Sequence, residues 1–309
     1  MFEYKNILVV IDPEAETQTA LARACELAAK CNAKVTAFMC IYDFSYELTT
    51  MLSADERNAM RKAVLTDRTE WLSTLVKPYG SDNVEVQVSV VWDNSVYESA
   101  IKAALELQAD LIVKAAGSHD DLASLLFTPT DWHILRKSPT PVLMVKQHDW
   151  PVNGNVIASV NVGTEDGQHA RLNDKVVETA KGYSELLKAN LHLVNAYPGT
   201  VVNLAIEMPE FDPQGYNENV KRHHQNEMQK FSHKHSVAPE NCHVIQGLPE
   251  AAIPQQAKSL DAELVIIGTI GRAGLSAALI GNTAEAVIDG LNCDVLAIKP
   301  DDFESPIHG

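Results

Sequence analysis

The chain has 309 residues, 46% of them hydrophobic and 21% charged, which is the make-up of folded globular protein and enough length for two domains of roughly 150 residues. Its 25 Lys and Arg face 41 Asp and Glu, a formal charge of −16 that repels phosphate backbones and anionic lipid surfaces, so neither nucleic acid nor a membrane is an expected partner. No stretch approaches the ~18 uninterrupted apolar residues of a membrane span, an acid interrupts the short apolar run at the start, and the five cysteines follow no C-x-x-C pattern. The expectation is a cytoplasmic protein with unpaired thiols in a reducing compartment.

In chain order, the β-branched run Ile7 to Ile11 predicts a buried strand, closed by Asp12 and Pro13 and followed by a helix through Leu21, Ala24, Leu27 and Ala28. A strand over Val35 to Ile41, a charged helix from about Ser53 to Leu75, a strand over Val84 to Val91 and a helix from about Ser95 to Leu107 come next. Leu111 to Ala115 makes a fourth strand. A loop and helix run on through Leu135, and Pro141 to Lys146 makes a fifth strand. Strands that are apolar on both faces and alternate with helices imply a parallel sheet covered on both sides.

The same order then recurs, with strands at Val156 to Val162, Leu191 to Ala196, His243 to Gln246, Leu264 to Gly268 and Asp294 to Ile298. Helices are expected near Val176 to Ala189, Tyr216 to His235 and Glu250 to Leu260. The 38 residues from Ala109 align without gaps on those from Ala262 at a constant offset of 153, and eight positions are identical where composition alone gives roughly two or three. The chain therefore reads as a duplication. The first domain is expected over 1–148, a Pro- and Gly-containing linker over 149–154, the second domain over 155–300 and a frayed tail over 301–309.

In the second copy the strand ending at Gly268 runs into Thr269-Ile270-Gly271-Arg272 and, with nine residues between Gly271 and Gly281, into Gly281-Asn282-Thr283 at a helix start. Glycine lets backbone approach a phosphate closely, and the free N–H groups of a helix start favour an anion. Taken alone, a G-x2-G-x9-G loop reads more readily as a structural turn. Arg272 fits a phosphate contact and a solvated surface position equally well. The first copy carries Ala115, Ser118, Thr128 and Pro129 at the matching places, so its loop lacks the motif and no ATP is expected there.

Other features read blandly. Seven of the eleven histidines fall in the second copy before residue 244, and His223, His224, His233 and His235 on one charged helix are taken as surface residues, with no metal site. The apolar stretches Phe44 to Leu52 and Val201 to Met208 are expected to pack across the joint between the copies, with covering the ligand edge of the sheet, binding a partner or, in the first copy, holding an apolar ligand as the alternatives. No P-loop, SGGxDS or HxGH signature occurs and no general base sits in the glycine loop, so catalytic residues are not expected.

The glycine spacing after a fourth strand, the strand-ending Asp12 and the Gly247-Leu248-Pro249 turn resemble the universal stress protein family, and the pair of copies, the later one carrying GNTAE, is similar to its tandem, E-type bacterial members. The resemblance implies two tandem Rossmann-like (HUP-type) α/β domains, each a five-stranded, mostly parallel sheet in the order 3-2-1-4-5 with helices on both faces. They would form an intramolecular pseudo-dimer through their final strands, with further dimerisation and unnamed protein partners open. It also implies ATP, with or without Mg2+, in the second domain only. Gly268, Gly271 and Gly281 would cradle the phosphates, Asn282 would stand where the family has Ser or Thr, and Thr283 would follow it into the helix. Asn161 replaces the family's nucleoside-contacting aspartate, and Ala196 takes the adenine-facing place. The implied function is a stress-response regulator or sensor. A nucleotide-free interaction module and a slow ATPase are the competing readings.

Overall fold

The computed structural model describes residues 3–43, 53–81, 83–117, 127–146, 149–164, 166–199, 212–269 and 281–308. The stretches Phe44 to Leu52 and Val201 to Met208 lie outside the described residues, as do Ser118, Gly271 and Arg272. The chain divides into two compact units, one of residues 3–146 with 304–309 and one of residues 147–303.

In the first unit β1 (Asn6–Val10), β2 (Lys34–Ile41), β3 (Val86–Trp92), β4 (Leu111–Ala115) and β5 (Val142–Val145) alternate with α1 (Thr19–Cys31), α2 (Ala54–Val76), α3 (Val96–Glu106) and α4 (Pro129–Lys137). The strands lie in the order β3-β2-β1-β4-β5, all parallel, with Val9 opposite both Ala37 and Val113. Both faces of β1 are buried, Leu8 and Val9 completely, which is why the run carries no polar alternation. The charged α2 is held by a capping box, Glu56 N–H donating to Ser53 Oγ and Ser53 N–H to the Glu56 carboxylate, and buries only Leu72 and Val76 of its side chains.

The second unit repeats the plan. Strands β6 (Asn155–Ser159), β7 (Asn190–Tyr197), β8 (Cys242–Gln246), β9 (Ala262–Gly268) and β10 (Asp294–Ile298) lie in the order β8-β7-β6-β9-β10, again all parallel. They alternate with α5 (Gly167–Leu187), α6 (Pro213–Lys234), α7 (Pro249–Ser259) and α8 (Asn282–Gly290). The expected fold class and strand order hold in both halves.

The duplication reaches into details of the backbone. Asn32 and Lys188 end the first helix of their copies in the left-handed region, at φ 56° and 53°, and Gln108 and Asp261 do the same after the third, at 49° and 48°. Asp110 accepts the N–H of Asn6 at 2.9 Å, and its counterpart Glu263 accepts the N–H of Asn155. Residues 304–308, within the stretch read from sequence as a frayed tail, are anchored on the first unit: Ser305 Oγ donates to the Lys137 carbonyl at 2.8 Å and Ile307 is buried.

Two element boundaries in the second unit differ from the sequence expectation. Helix α5 begins at Gly167, nine residues before the periodic apolar stretch, because Asp166 caps it by accepting the Gln168 N–H. Strand β6 ends at Ser159, three residues earlier than Val162. The Asn161 N–H instead donates to Asn173 Oδ1 at 3.0 Å and the Val162 N–H to Asn195 Oδ1 at 3.1 Å, so side chains replace the ladder there.

Candidate functional site

In a 3-2-1-4-5 sheet the winding direction reverses between the first and fourth strands, and the carboxyl ends of that pair open a crevice. In the second unit a cavity of about 520 Å³ lies there, lined at the strand ends by Ser159, Val160, Asn161, Ala196, Ile267 and Gly268. Helix α5 contributes Gln168, His169, Leu172, Asn173 and Val176, with Asp166 at its cap. His224 of α6, Pro249 and Ile253 of α7, and Gly281, Thr283, Ala284 and Val287 around the start of α8 complete the wall.

Five of the eight residues singled out from the sequence thus meet at one cavity: Asn161, Ala196, Gly268, Gly281 and Thr283. Asn282 is exposed at the first position of α8 and is not part of the lining. The residue capping α8 is Gly281, at φ −61° and ψ 137°, which has no side chain to accept from the first turn. Four N–H groups at any helix start lack an intrahelical partner, so this start is an electropositive rim facing the cavity.

Gly268 has a second role. A Cβ on it would lie 2.5 Å from Leu172 Cδ2, so any larger residue at the end of β9 would displace Leu172 or α5. Asn161 is exposed, and its backbone is clasped twice by Asn173, which accepts its N–H and donates Nδ2 to its carbonyl at 2.8 Å.

The first unit places a carboxylate of its own at the corresponding helix start. Thr128 caps α4 and forms a reciprocal box with Asp131, whose Oδ2 accepts the Thr128 N–H at 2.7 Å and whose own N–H donates to Thr128 Oγ1 at 3.2 Å. Asp131 is wholly buried and its Oδ1 pairs with Lys114 Nζ at 2.7 Å. At the offset of 153 these two residues match Ala284 and Ile267, both of which line the second unit's cavity. A carboxylate of the chain itself sits at the helix start where the second copy has Ala284.

Of the four histidines read as surface residues, His223 and His233 are exposed, whereas His224 and His235 are not. His235 is buried between Asp174 Oδ1 at 2.8 Å and Glu178 Oε1 at 3.0 Å, tying α6 to α5. His224 is half-buried in the cavity wall, stacked on Tyr197 at 4.9 Å between ring centroids, and burial followed by the neighbouring His223 holds its imidazole below the ordinary histidine range. Asp12 does not cap α1; it accepts the Glu14 N–H at 3.0 Å within its own turn. The sequence motifs single out neither the lining residues of α5 nor His224. The cap at Asp166 is the available signal for the first group, and the second has none, because α6 is polar around most of its surface.

A switch-point cavity of this size beside a glycine-capped helix start, on a sheet wound in this order, defines the ligand-binding, Rossmann-like (HUP-type) class of α/β domain. Comparison with known proteins narrows the class. The model of the "Universal stress protein family" matches twice, over residues 3–146 and 162–299. "Universal stress protein E" of Salmonella typhi is 47% identical over 100% of this chain and 98% of its own length, and that of Escherichia coli K12 is 46% identical over the same shares. A solved structure of a functionally unknown protein from Pseudomonas aeruginosa PAO1 superposes with a TM-score of 0.74 at 30% identity, covering 97% of this chain and 94% of that one. The chain belongs to the universal stress protein family, and with it to the stress-response proteins. No helix among the described residues is long and apolar enough to cross a membrane.

Proposed function

We propose that the second copy binds an adenine nucleotide, ATP with or without Mg2+, and that the protein acts in the cytoplasm as a regulator or sensor of stress rather than as a metabolic enzyme. One observation carries the reading: among the described residues the α8 start, capped by Gly281 without a side chain, opens on the cavity, whereas the matching α4 start holds Asp131 and its partner Lys114. The cavity's ~520 Å³ falls in the range of about 300–1,000 Å³ that small-molecule sites occupy. The strand ends also give the ligand a direction. Ala196 on β7, Asn161 after β6 and Gly268 on β9 stand on successive strands about 4.8 Å apart, so base, sugar and phosphates would follow one another along the sheet edge. Asp166, the carboxylate of the described lining, is engaged by the Gln168 N–H and by His169, so Mg2+ would be held chiefly by the phosphates and water.

The test is to denature the purified protein by heat and chromatograph what it releases, before and after incubation with Mg-ATP. About one adenine nucleotide per chain is expected, and none in either sample rejects the proposal. A competing reading, a nucleotide-free interaction module, takes its support from Gly268, whose missing Cβ is accounted for by Leu172 alone. A slow ATPase would turn over excess ATP faster than a Gly268→Val control.

A further inference from the structure

His224 sits in the cavity wall with its tautomer fixed by a chain of donors that leads back to the backbone. The Val162 N–H can only donate, so the Asn195 atom it reaches at 3.1 Å is the carbonyl oxygen Oδ1. The other end of that amide, Nδ2, then has only hydrogens to offer, and it lies 3.1 Å from His224 Nδ1. Nδ1 must therefore accept. Asn195 is completely buried on β7, so it cannot turn over to relieve the arrangement without stranding the Val162 N–H. A neutral His224 consequently carries its proton on Nε2. The imidazole stacks on Tyr197, 18° from parallel, and Gly163 gives it room, since a Cβ there would collide with the ring. Among the described residues no acceptor meets the Nε2–H.

The ring stands beside Ala196 and Pro198 at the β7 end of the cavity, two strands away from Gly268 and the glycine-capped start of α8. At the phosphate end the backbone supplies the donors. At this end the neighbouring walls, Ala196, Pro198 and Ile253, offer only apolar side-chain surface.

Resting on the nucleotide reading of the cavity, we propose that His224 reads the base, its Nε2–H donating to an unprotonated ring nitrogen of a purine lodged against Ala196, Pro198 and Ile253. Because the imidazole is a donor here, it pairs with a ring nitrogen and rejects the exocyclic amine. Asn195 is a positioning residue that acts through it.

The experiment measures the affinity of the full-length protein for ATP and for its 1-deaza, 3-deaza and 7-deaza analogues, in wild type, His224→Phe and His224→Gln. In wild type one analogue is expected to bind about 3- to 10-fold more weakly than ATP, the share of a single hydrogen bond. His224→Phe should lose the same factor on ATP and no longer distinguish that analogue, while His224→Gln, which keeps a donor, should recover part of it. Imidazole 15N shifts of the wild type decide the matter if a variant does not fold: they should report the Nε2–H tautomer in the free protein, with Nε2 moved by ATP and unmoved by the weak analogue. An Nδ1–H tautomer, or equal affinity for ATP and all three analogues in wild type, overturns the assignment and leaves nucleotide binding standing. A wild type that binds no adenine nucleotide removes both.

Discussion

Gly268 is where packing and ligand binding make separable demands, and a pair of substitutions divides them. Gly268→Ala would place a methyl 2.5 Å and 2.6 Å from Leu172 Cδ2 and Cγ, about 1 Å inside the ordinary carbon–carbon separation of roughly 3.5–4.0 Å. Relieving that by moving Leu172 or α5 costs about 1–3 kcal/mol, offset by ~0.5–1 kcal/mol because alanine loses less backbone freedom than glycine in a strand. The net expectation is a loss of ~1–2 kcal/mol. Leu172→Ala alone should lose roughly 2–3 kcal/mol, the low end for a buried leucine, because its side chain already borders a cavity. In the double variant the collision is gone and the new methyl fills part of the void, so the two losses should fall short of their sum by ~1–2 kcal/mol. Binding should behave otherwise. If the bare backbone of residue 268 seats a phosphate, the methyl still obstructs it in the double variant, and ATP affinity measured by calorimetry should stay about tenfold or more below that of Leu172→Ala, a gap of ~1.4 kcal/mol. A double variant that regains the affinity of Leu172→Ala would refute the phosphate role and leave Gly268 a packing residue alone.

The first copy offers a matching test. Lys114→Ile should strand the wholly buried Asp131 and destabilise by about 3 kcal/mol, whereas Lys114→Ile with Asp131→Ala, which copies the second unit's lining, should stay within ~1–2 kcal/mol of wild type, the remaining loss being the helix cap. Hydrogen exchange on β4 and α4 in the full-length protein reads this out, and a double variant no more stable than Lys114→Ile would show that the pair is not coupled. Lys299 gives a pH prediction. Burial lowers its ammonium to about 7 despite the opposing pull of Glu285, so between pH ~7 and its unfolded value of ~10.4 the unfolded chain binds more protons and folding gains stability as pH rises. Lys299→Met should therefore be more stable than wild type by ~2–4 kcal/mol at pH 7, with the gap narrowing towards pH 10. Urea unfolding at the two pH values checks it, and a gap independent of pH would contradict it.

Much of the architecture was legible in the sequence because it depends on local and repetitive signals. Apolar runs such as Leu264 to Ile267 are satisfied as strands covered on both faces, and the ungapped match of the residues from Ala109 with those from Ala262 gives the two halves one plan. The glycine spacing that singled out Gly268 and Gly281 is likewise a local statement about backbone, and both residues line the cavity. Missed were residues whose part depends on neighbours distant along the chain. Asn195 and His224 lie 29 positions apart and acquire a role only when β7 and α6 bring them within 3.1 Å. His235 read as a surface residue because the carboxylates that enclose it, Asp174 and Glu178, belong to another helix.

The sequence by itself determined two things: the duplication, and which copy keeps bare backbone in its fourth-strand loop. Both are questions of residue type and spacing along one chain. Only the tertiary structure decided how the helix start of the first copy can hold a wholly buried carboxylate: the box of Asp131 with Thr128 is local, but folding brings Lys114 of the adjoining strand to within 2.7 Å of the other carboxylate oxygen. It also decided that the His224 Nε2 bears the proton, because hydrogen bonds between separate elements fix that and no pattern along the chain encodes it.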